Sequence, residues 1–363
     1  MTVSTPVFFA PIFKEKVWGG RNLYSRLAKQ VSPEKKIGES WELSAYPPDI
    51  SRVESGPLTG TSLREIVASD RTAVMGAASG AGDFPLLYKF IDAQDRLSIQ
   101  VHPDDAQARA NGWGAYGKTE CWYIIAAEPG ARVICGFKRA VDGKEVRERV
   151  RDGTLNEVLN TFSIRAGDLV FVPAGTVHAN QPGTFLYEVQ QSSDTTLRLF
   201  DWDRNDPGRP LHIDESLLVL DMSAHNRHCI PAVVLDSRQG IERKLRIACR
   251  YFAIEELRFI RSAEMPLDPK GSFRVITVLD GSIDVSHDAG RDRIGKGRTV
   301  LLPACLRTSV AAGDAGSHFL ISWVPHLAHE IVDPLRRQGT PDSDIELLGG
   351  NALRNDLLPL LAG

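Results

Sequence analysis

Along the chain, apolar residues fall mostly at alternate positions or in short unbroken runs bounded by Gly, Pro or Asp, the pattern of strands rather than helices. The clearest runs lie at 87–91, 98–101, 121–126, 132–135, 169–172 and 185–190. Further runs follow at 251–257, 273–279, 282–285, 299–302 and 318–324. All are rich in β-branched and aromatic residues, which suit a pleated surface. Helical spacing is rarer and predicts helices at 62–67, 104–111, 144–151, 155–161 and 213–222, with 144–161 forming a charged insertion. Many strands with few helices predict a mainly β fold, a sandwich or barrel.

The strand pattern repeats. Arg165-Ala-Gly-Asp-Leu-Val-Phe-Val-Pro-Ala-Gly-Thr-Val-His178 lies on Gly295-Lys-Gly-Arg-Thr-Val-Leu-Leu-Pro-Ala-Cys-Leu-Arg-Thr308 at an offset of 130, with four of fourteen positions identical. Each copy follows a strand–glycine–strand hairpin, at Gly130 and at Gly281. The reading is duplication of one β-unit. His178 faces Thr308 in this alignment, so chemistry that needs the histidine belongs to the first copy.

Composition narrows the classes of function. The 363 residues correspond to two domains at about 150 residues each. Lys plus Arg number 43 and Asp plus Glu 46, a net charge of −3. That excludes a strongly basic nucleic-acid binder, but not a local basic pocket for a small anion. No apolar run reaches the ~18 residues of a membrane span. The first residues have no basic stretch ahead of their apolar patch, so no signal peptide is expected. The five cysteines are scattered, without a Cys-x-x-Cys pair. This predicts free, buried thiols and a cytoplasmic protein.

The densest chemistry is Ser98-Ile-Gln-Val-His102-Pro-Asp. On a strand Ser98, Gln100 and His102 share one face, while Ile99 and Val101 take the other. Glu120 follows eighteen residues later in Gly117-Lys-Thr-Glu120, and His178 follows a Pro-Ala-Gly turn. Two imidazoles, one carboxylate and one amide oxygen suit Zn²⁺ or a related divalent ion. The competing reading is polar residues on a solvated strand face.

These segments resemble type I mannose-6-phosphate isomerase. The likeness extends to Val17-Trp-Gly-Gly20, Gly38-Glu-Ser-Trp-Glu-Leu-Ser44 and Ser193-Asp-Thr-Thr-Leu-Arg-Leu-Phe-Asp-Trp202. The motifs run in the family's order over residues 7 to 325, closest in pattern to its shorter bacterial branch. The resemblance implies a bicupin, two jelly-roll barrels. Its parts are a catalytic unit at 1–230 with the helical insertion near 142–161, a degenerate unit at 231–325, and a tail at 326–363 of unassigned role. It implies one Zn²⁺ per chain on Gln100, His102, Glu120 and His178, and interconversion of mannose 6-phosphate and fructose 6-phosphate. It also places Lys118 and Arg198 in the active site and Ser98 near the phosphate. Leu197 stands where the family has Tyr, which alters packing beside the arginine.

Isomerisation needs a base that moves a proton between C1 and C2. Glu188, on the strand after His178, is the candidate, because a barrel interior would raise its pKa by desolvation. Its alternative is a solvent-facing strand glutamate. Trp18, beside Gly19 and Gly20, is the tryptophan expected to touch sugar; the others read as packing. His212 reads as structural, and His225, His228, His287, His318, His326 and His329 as exposed or capping. The expected partner is a small sugar phosphate, with neither nucleic acid nor membrane, and the expected state is a monomer or small homo-oligomer. The rivals are another metal-dependent cupin sugar-phosphate isomerase or epimerase, and a non-catalytic sugar-binding bicupin.

Overall fold

A computed structural model describes the chain except residues 1–2, 79–81, 205, 225–228, 238, 268–269, 351–353 and 363. His225 and His228 lie outside the described residues. The fold is mainly β, with its strands in four antiparallel sheets. Among the described residues, the order of hydrogen-bonded strands in no sheet returns to its first strand. The expected barrels therefore take the form of paired open sheets.

A five-stranded sheet orders Leu197–Phe200, Ile99–Val101, His178–Asn180, Arg132–Phe137 and Leu159–Ser163. It faces a six-stranded sheet of Ile12–Gly20, Ile37–Leu43, Leu86–Ala93, Thr184–Gln191, Glu120–Ala127 and Leu169–Val172. The second half repeats the arrangement. A seven-stranded sheet built on Arg274–Asp280, His318–Trp323 and Ala253–Phe259 faces a four-stranded sheet built on Ser282–His287 and Ser309–Gly313. The first strand of the chain, Val7–Phe8, joins the seven-stranded sheet beside Thr299–Leu302.

The six- and seven-stranded sheets pack back to back, and strand alternation explains how. Along Glu120–Ala127, Cys121 and Tyr123 enter one core with Ile247, Ile254, Val275 and Leu320 of the seven-stranded sheet. Trp122 and Ile124 point the other way, with Val133 and Cys135 of the five-stranded sheet. Central strands are thus covered on both faces, which is why Leu86–Ala93 is buried throughout. Polar pairs also cross between the halves: the Thr277 hydroxyl meets the Tyr187 hydroxyl at 2.5 Å, and the Tyr123 hydroxyl donates to Glu256 at 2.7 Å.

The two halves differ inside. Ile276, Val278, Ile283, Val285, Val300 and Phe319 fill the space between the seven- and four-stranded sheets. Thr308 is exposed there, whereas His178 is 1% exposed. The repeated segment still occupies matching places. Leu169–Val172 borders Glu120–Ala127 as Thr299–Leu302 borders Arg274–Asp280. Gly167 and Gly297, which precede these strands, take φ of 89° and 77°, a conformation that favours glycine.

Helices cover the outside. Asp105–Ala110 starts with a capping box between Asp104 and Gln107. Gly143–Arg151 buries Val146 and Val150 and keeps Glu145 and Arg149 outward. The expected helix at 155–161 is a correction. Only Leu155–Glu157 is helical, as a short 3₁₀ turn, and Leu159–Ser163 is drawn into a strand by pairing with Arg132–Phe137. The tail packs on the second half through Ile331, Leu335, Ile345, Leu348 and Leu357. All five cysteines are free; Cys121, Cys135 and Cys249 are buried, but Cys229 and Cys305 are exposed, against expectation. Among the described residues no helix is long and apolar enough to cross a membrane.

Candidate active site

Between the five- and six-stranded sheets lies a cavity of about 210 Å³. Two rows of side chains reach it. On the five-stranded sheet, Arg198 and His178 pair in register with Gln100 from either side. On the six-stranded sheet, Glu188 pairs in register with Lys89 and with Trp122. Glu120 lies two residues before Trp122 and so on its face. Ile99 and Val101 turn into the apolar core behind, as the alternation predicts.

His102, Glu120 and His178 offer ligand atoms within 4.8 Å of one another, all buried. Each imidazole is held by its Nδ1: His102 by the Thr195 carbonyl at 2.8 Å and His178 by the Thr176 carbonyl at 2.8 Å. With Nδ1–H donating to a carbonyl, Nε2 carries the lone pair that faces the cluster. Burial, and then Lys118, drives the His102 pKa well below its ordinary value. Burial lowers that of His178 to about 4, against the hydrogen bond from its Nδ1. Both rings are therefore neutral near pH 7 and able to ligate.

Glu120 supplies the charge. Its Oε1 accepts from the Trp122 indole N–H at 3.1 Å, while Oε2 is buried without an aligned hydrogen bond. Lys118 Nζ stands 2.7 Å from that oxygen and 3.0 Å from His102 Nε2. A buried carboxylate oxygen lacking a hydrogen bond, beside two imidazole lone pairs, is a donor set that fits a divalent cation. Gln100 presents its amide to His178 Nε2 at 3.2 Å, and Ser98 Oγ approaches Gln100 Oε1 at 3.1 Å. Turning the amide end over places oxygen towards His178 with little movement of atoms.

The ligand loops are tied to each other through backbone. Gly175 N donates to the His102 carbonyl at 2.8 Å, and Lys118 N to the Pro103 carbonyl at 2.9 Å. Gly117 N reaches Asp105 Oδ1 at 2.7 Å. All three ligand-bearing segments thus share one frame.

Glu188 is 3% exposed, not solvent-facing. Its Oε2 accepts from Trp122 Nε1 at 3.0 Å, and its Oε1 has no hydrogen bond but lies 3.5 Å from Lys89 Nζ. Burial, and then Glu120, raises its pKa, against the pull of Lys89 and Lys118.

The matches to known proteins agree with this geometry. Residues 7–130 match the family pattern of phosphomannose isomerase type I, catalytic domain. The chain is 34% identical over 315 residues to mannose-6-phosphate isomerase of Streptococcus mutans, covering 86% of this chain and 96% of that one. The chain belongs to the type I mannose-6-phosphate isomerase family. A second member, mannose-6-phosphate isomerase ManA of Bacillus subtilis, is 36% identical over 283 residues, covering 76% of this chain and 86% of that one. The crystal structure of a Bacillus subtilis mannose 6-phosphate isomerase superposes with a TM-score of 0.79 at 33% identity, covering 87% of this chain and 99% of that one.

Within this family member, Ser98, Gln100, Lys118, Glu120, His178, Glu188, Arg198 and Trp18 all border the cavity. Trp18 does so from a packed position, 4% exposed, with its ring against Gly38. His212 is structural as expected, its Nδ1 accepting from Arg198 N at 3.2 Å. His287 and His318 are paired rather than simply exposed, with Asp292 at 2.8 Å and Glu256 at 3.0 Å. Sequence reading passed over Lys89, Lys16, Glu39, Asp194 and Arg209, which also line the cavity. It also treated Trp122 as packing only. The signal for Lys89 is a lone cation inside the apolar run Leu86–Ala93, since buried charges are rare unless paired.

Proposed function

We propose that the protein is a zinc-dependent aldose–ketose isomerase that interconverts mannose 6-phosphate and fructose 6-phosphate. The observation that carries this reading is the buried His102–Glu120–His178 group, whose Glu120 and His178 line one cavity with the buried Glu188. Two neutral imidazoles, a carboxylate and the Gln100 amide oxygen are donors that Zn²⁺ accepts, with room for a further ligand. Bound there, zinc supplies a Lewis acid for the oxyanion of an enediol.

The chain's own groups do the rest. Glu188 takes the proton from the carbon beside the carbonyl and returns it to the former carbonyl carbon, while the hydroxyl proton passes from one oxygen of the enediol to the other. Its raised pKa supports this role, because a carboxyl nearer neutrality both accepts and gives up a proton. The Trp122 N–H orients Glu188 Oε2, and the Lys89 ammonium balances its charge. Lys118 and Arg198 donate to the sugar oxygens or to the phosphate. Ser98 orients the Gln100 amide, and Trp18 walls the sugar end of the cavity.

The same reading treats the two sheet pairs as two cupin units, 1–230 and 231–325, that arose by duplication. The matching places of 165–178 and 295–308 support it, and apolar side chains fill the space between the second unit's sheets. Five free thiols support a cytoplasmic location.

A coupled assay of fructose 6-phosphate formation tests the reaction, with glucose 6-phosphate in parallel. Turnover of mannose 6-phosphate by the zinc-loaded protein is the expected result. Turnover of another sugar phosphate alone would move the assignment to a sister isomerase or epimerase. No turnover of either would reduce the protein to a binding role.

A further inference from the structure

Asp105 gathers three donors from distant parts of the chain. Its Oδ1 accepts from Gly117 N at 2.7 Å and from Gln191 Nε2 at 2.9 Å, and its Oδ2 accepts from the Tyr251 hydroxyl at 3.2 Å. Helix capping does not need this carboxylate, because Asp104 and Gln107 already close the start of Asp105–Ala110. The contacts lead instead to the groups of the site. Asp105 lies three residues after His102, Gly117 three before Glu120, and Gln191 three after Glu188. Gln191 Oε1 accepts from Thr119 N at 2.9 Å, and the Thr119 hydroxyl accepts from Ala174 N at 3.2 Å, on the turn before His178. With a carboxylate at one end and a backbone N–H at the other, the buried Gln191 amide has only one orientation that satisfies both. One carboxylate and one amide therefore join the segments of His102, Glu120 and His178 to the strand of Glu188.

The third donor comes from the second half. Tyr251 sits in the hairpin loop between Ile241–Ala248 and Ala253–Phe259, which Cys249 N closes on the Phe252 carbonyl at 2.9 Å. The tail holds that hairpin in place. Ala248 N donates to the Leu348 carbonyl at 3.1 Å, and Arg250 meets Asp356 through its backbone N at 2.8 Å and through a guanidinium ion pair. The Tyr251 ring packs against the core shared by the six- and seven-stranded sheets, so its packing and its hydrogen bond are separable by removing the hydroxyl alone.

We infer that Asp105, with Gln191, is the positioning residue that sets the metal ligands and the base at their mutual distances, and that Tyr251 braces it from the second half. The inference rests on the isomerase reading above and gives the second half and the tail a part in that site. A carboxylate suits this place because all three partners donate and an ionised carboxylate only accepts. Partners of this kind, one step removed from the metal, hold ligands in orientation, and their loss typically costs about 10–100-fold in metal affinity or activity.

The test uses the whole chain as Asp105→Ala, Asp105→Asn and Tyr251→Phe. Three quantities are measured: zinc affinity by chelator competition, kcat and KM for mannose 6-phosphate at saturating zinc, and the urea unfolding midpoint. Asp105→Ala is expected to weaken zinc binding by about 10–100-fold and to lower kcat even with zinc restored, with KM moving less. Asp105→Asn still accepts from Gly117 and Gln191 while the Tyr251 hydroxyl turns to accept, so it should fall between Asp105→Ala and the wild type. Tyr251→Phe should weaken zinc binding by about fivefold, the worth of one hydrogen bond. A lower unfolding midpoint in Asp105→Ala with zinc affinity and kcat unmoved would mean that Asp105 only supports the fold, and would overturn the inference. Should Asp105→Ala not fold, Tyr251→Phe decides, since unchanged zinc affinity and kcat there also overturn it. Zinc affinities that fall as expected in a protein that never turns over mannose 6-phosphate would keep the positioning role and sink the isomerase reading. Active wild type whose zinc affinity and kcat are indifferent to Asp105 would do the reverse.

Discussion

At the scale of single residues, Glu188 and Glu120 show how one cavity gives two carboxylates different work. Both accept from the Trp122 indole N–H. Glu120 has the Lys118 ammonium at 2.7 Å and the two imidazoles around it, whereas Glu188 keeps one oxygen free and has Lys89 only at 3.5 Å. In the proposed mechanism this difference in environment makes one a ligand and the other a base. Glu188→Gln keeps the shape and the Trp122 contact but cannot take a proton. It is expected to lower kcat by about 10²–10⁴ with metal content unchanged, as read by steady-state kinetics beside elemental analysis. Loss of the metal in that variant would count against the division of roles. Ser98, Gln100, His102, Glu120 and His178 were legible in the sequence because strand alternation and donor chemistry single them out. Lys89 was not, because its meaning depends on a partner far along the chain, Glu188.

At the scale of elements, the ligand strands are held by turns as much as by sheet pairing. A Cβ at Gly117 would come within 2.4 Å of the Asp104 carbonyl carbon and 2.6 Å of Asp105 N, both rigid backbone. Gly117→Ala should push Lys118 and Glu120 away from the start of Asp105–Ala110 and break the bond from Gly117 N to Asp105. The expected cost is about 1–3 kcal/mol of stability, measured by urea unfolding, together with weaker metal retention. Strands with a clear apolar pattern were predicted to within a few residues, Leu169–Val172 and Thr299–Leu302 among them. Ile12–Gly20 and Ile241–Ala248 escaped, because Lys14, Lys16, Glu242 and Lys244 interrupt their pattern on half-covered faces. Residues 159–161 look helical locally, and only the distant partner Arg132–Phe137 makes them part of a strand.

At the scale of the whole molecule, the second half acts as a support. Glu256 of the seven-stranded sheet binds Tyr123, on the strand of Glu120, along with Arg246, Arg258 and His318. Burial opposes its ionisation, but His318, Arg246 and Tyr123 outweigh it and hold the pKa well below the usual carboxylate range. A carboxylate depressed in the folded state lends stability that is complete above its unfolded value of about 4.3 and fades as pH falls below that value. Thermal unfolding temperature should therefore drop in that acid window, and less so in Glu256→Gln. Glu256→Ala should cost about 3–5 kcal/mol at neutral pH, since it strands the buried Arg246. The matching places of 165–178 and 295–308 were legible in the sequence; the apolar filling between the seven- and four-stranded sheets was not, because it depends on which faces meet. The most direct test of the whole account is metal content measured with mannose 6-phosphate turnover on the same samples, before and after chelation, for wild type, His178→Ala and Thr308→Ala. The account expects close to one zinc per chain in wild type and Thr308→Ala, with turnover lost on chelation and restored by zinc, and neither metal nor turnover in His178→Ala. Full turnover by metal-free wild type, or a zinc-loaded His178→Ala, would contradict it.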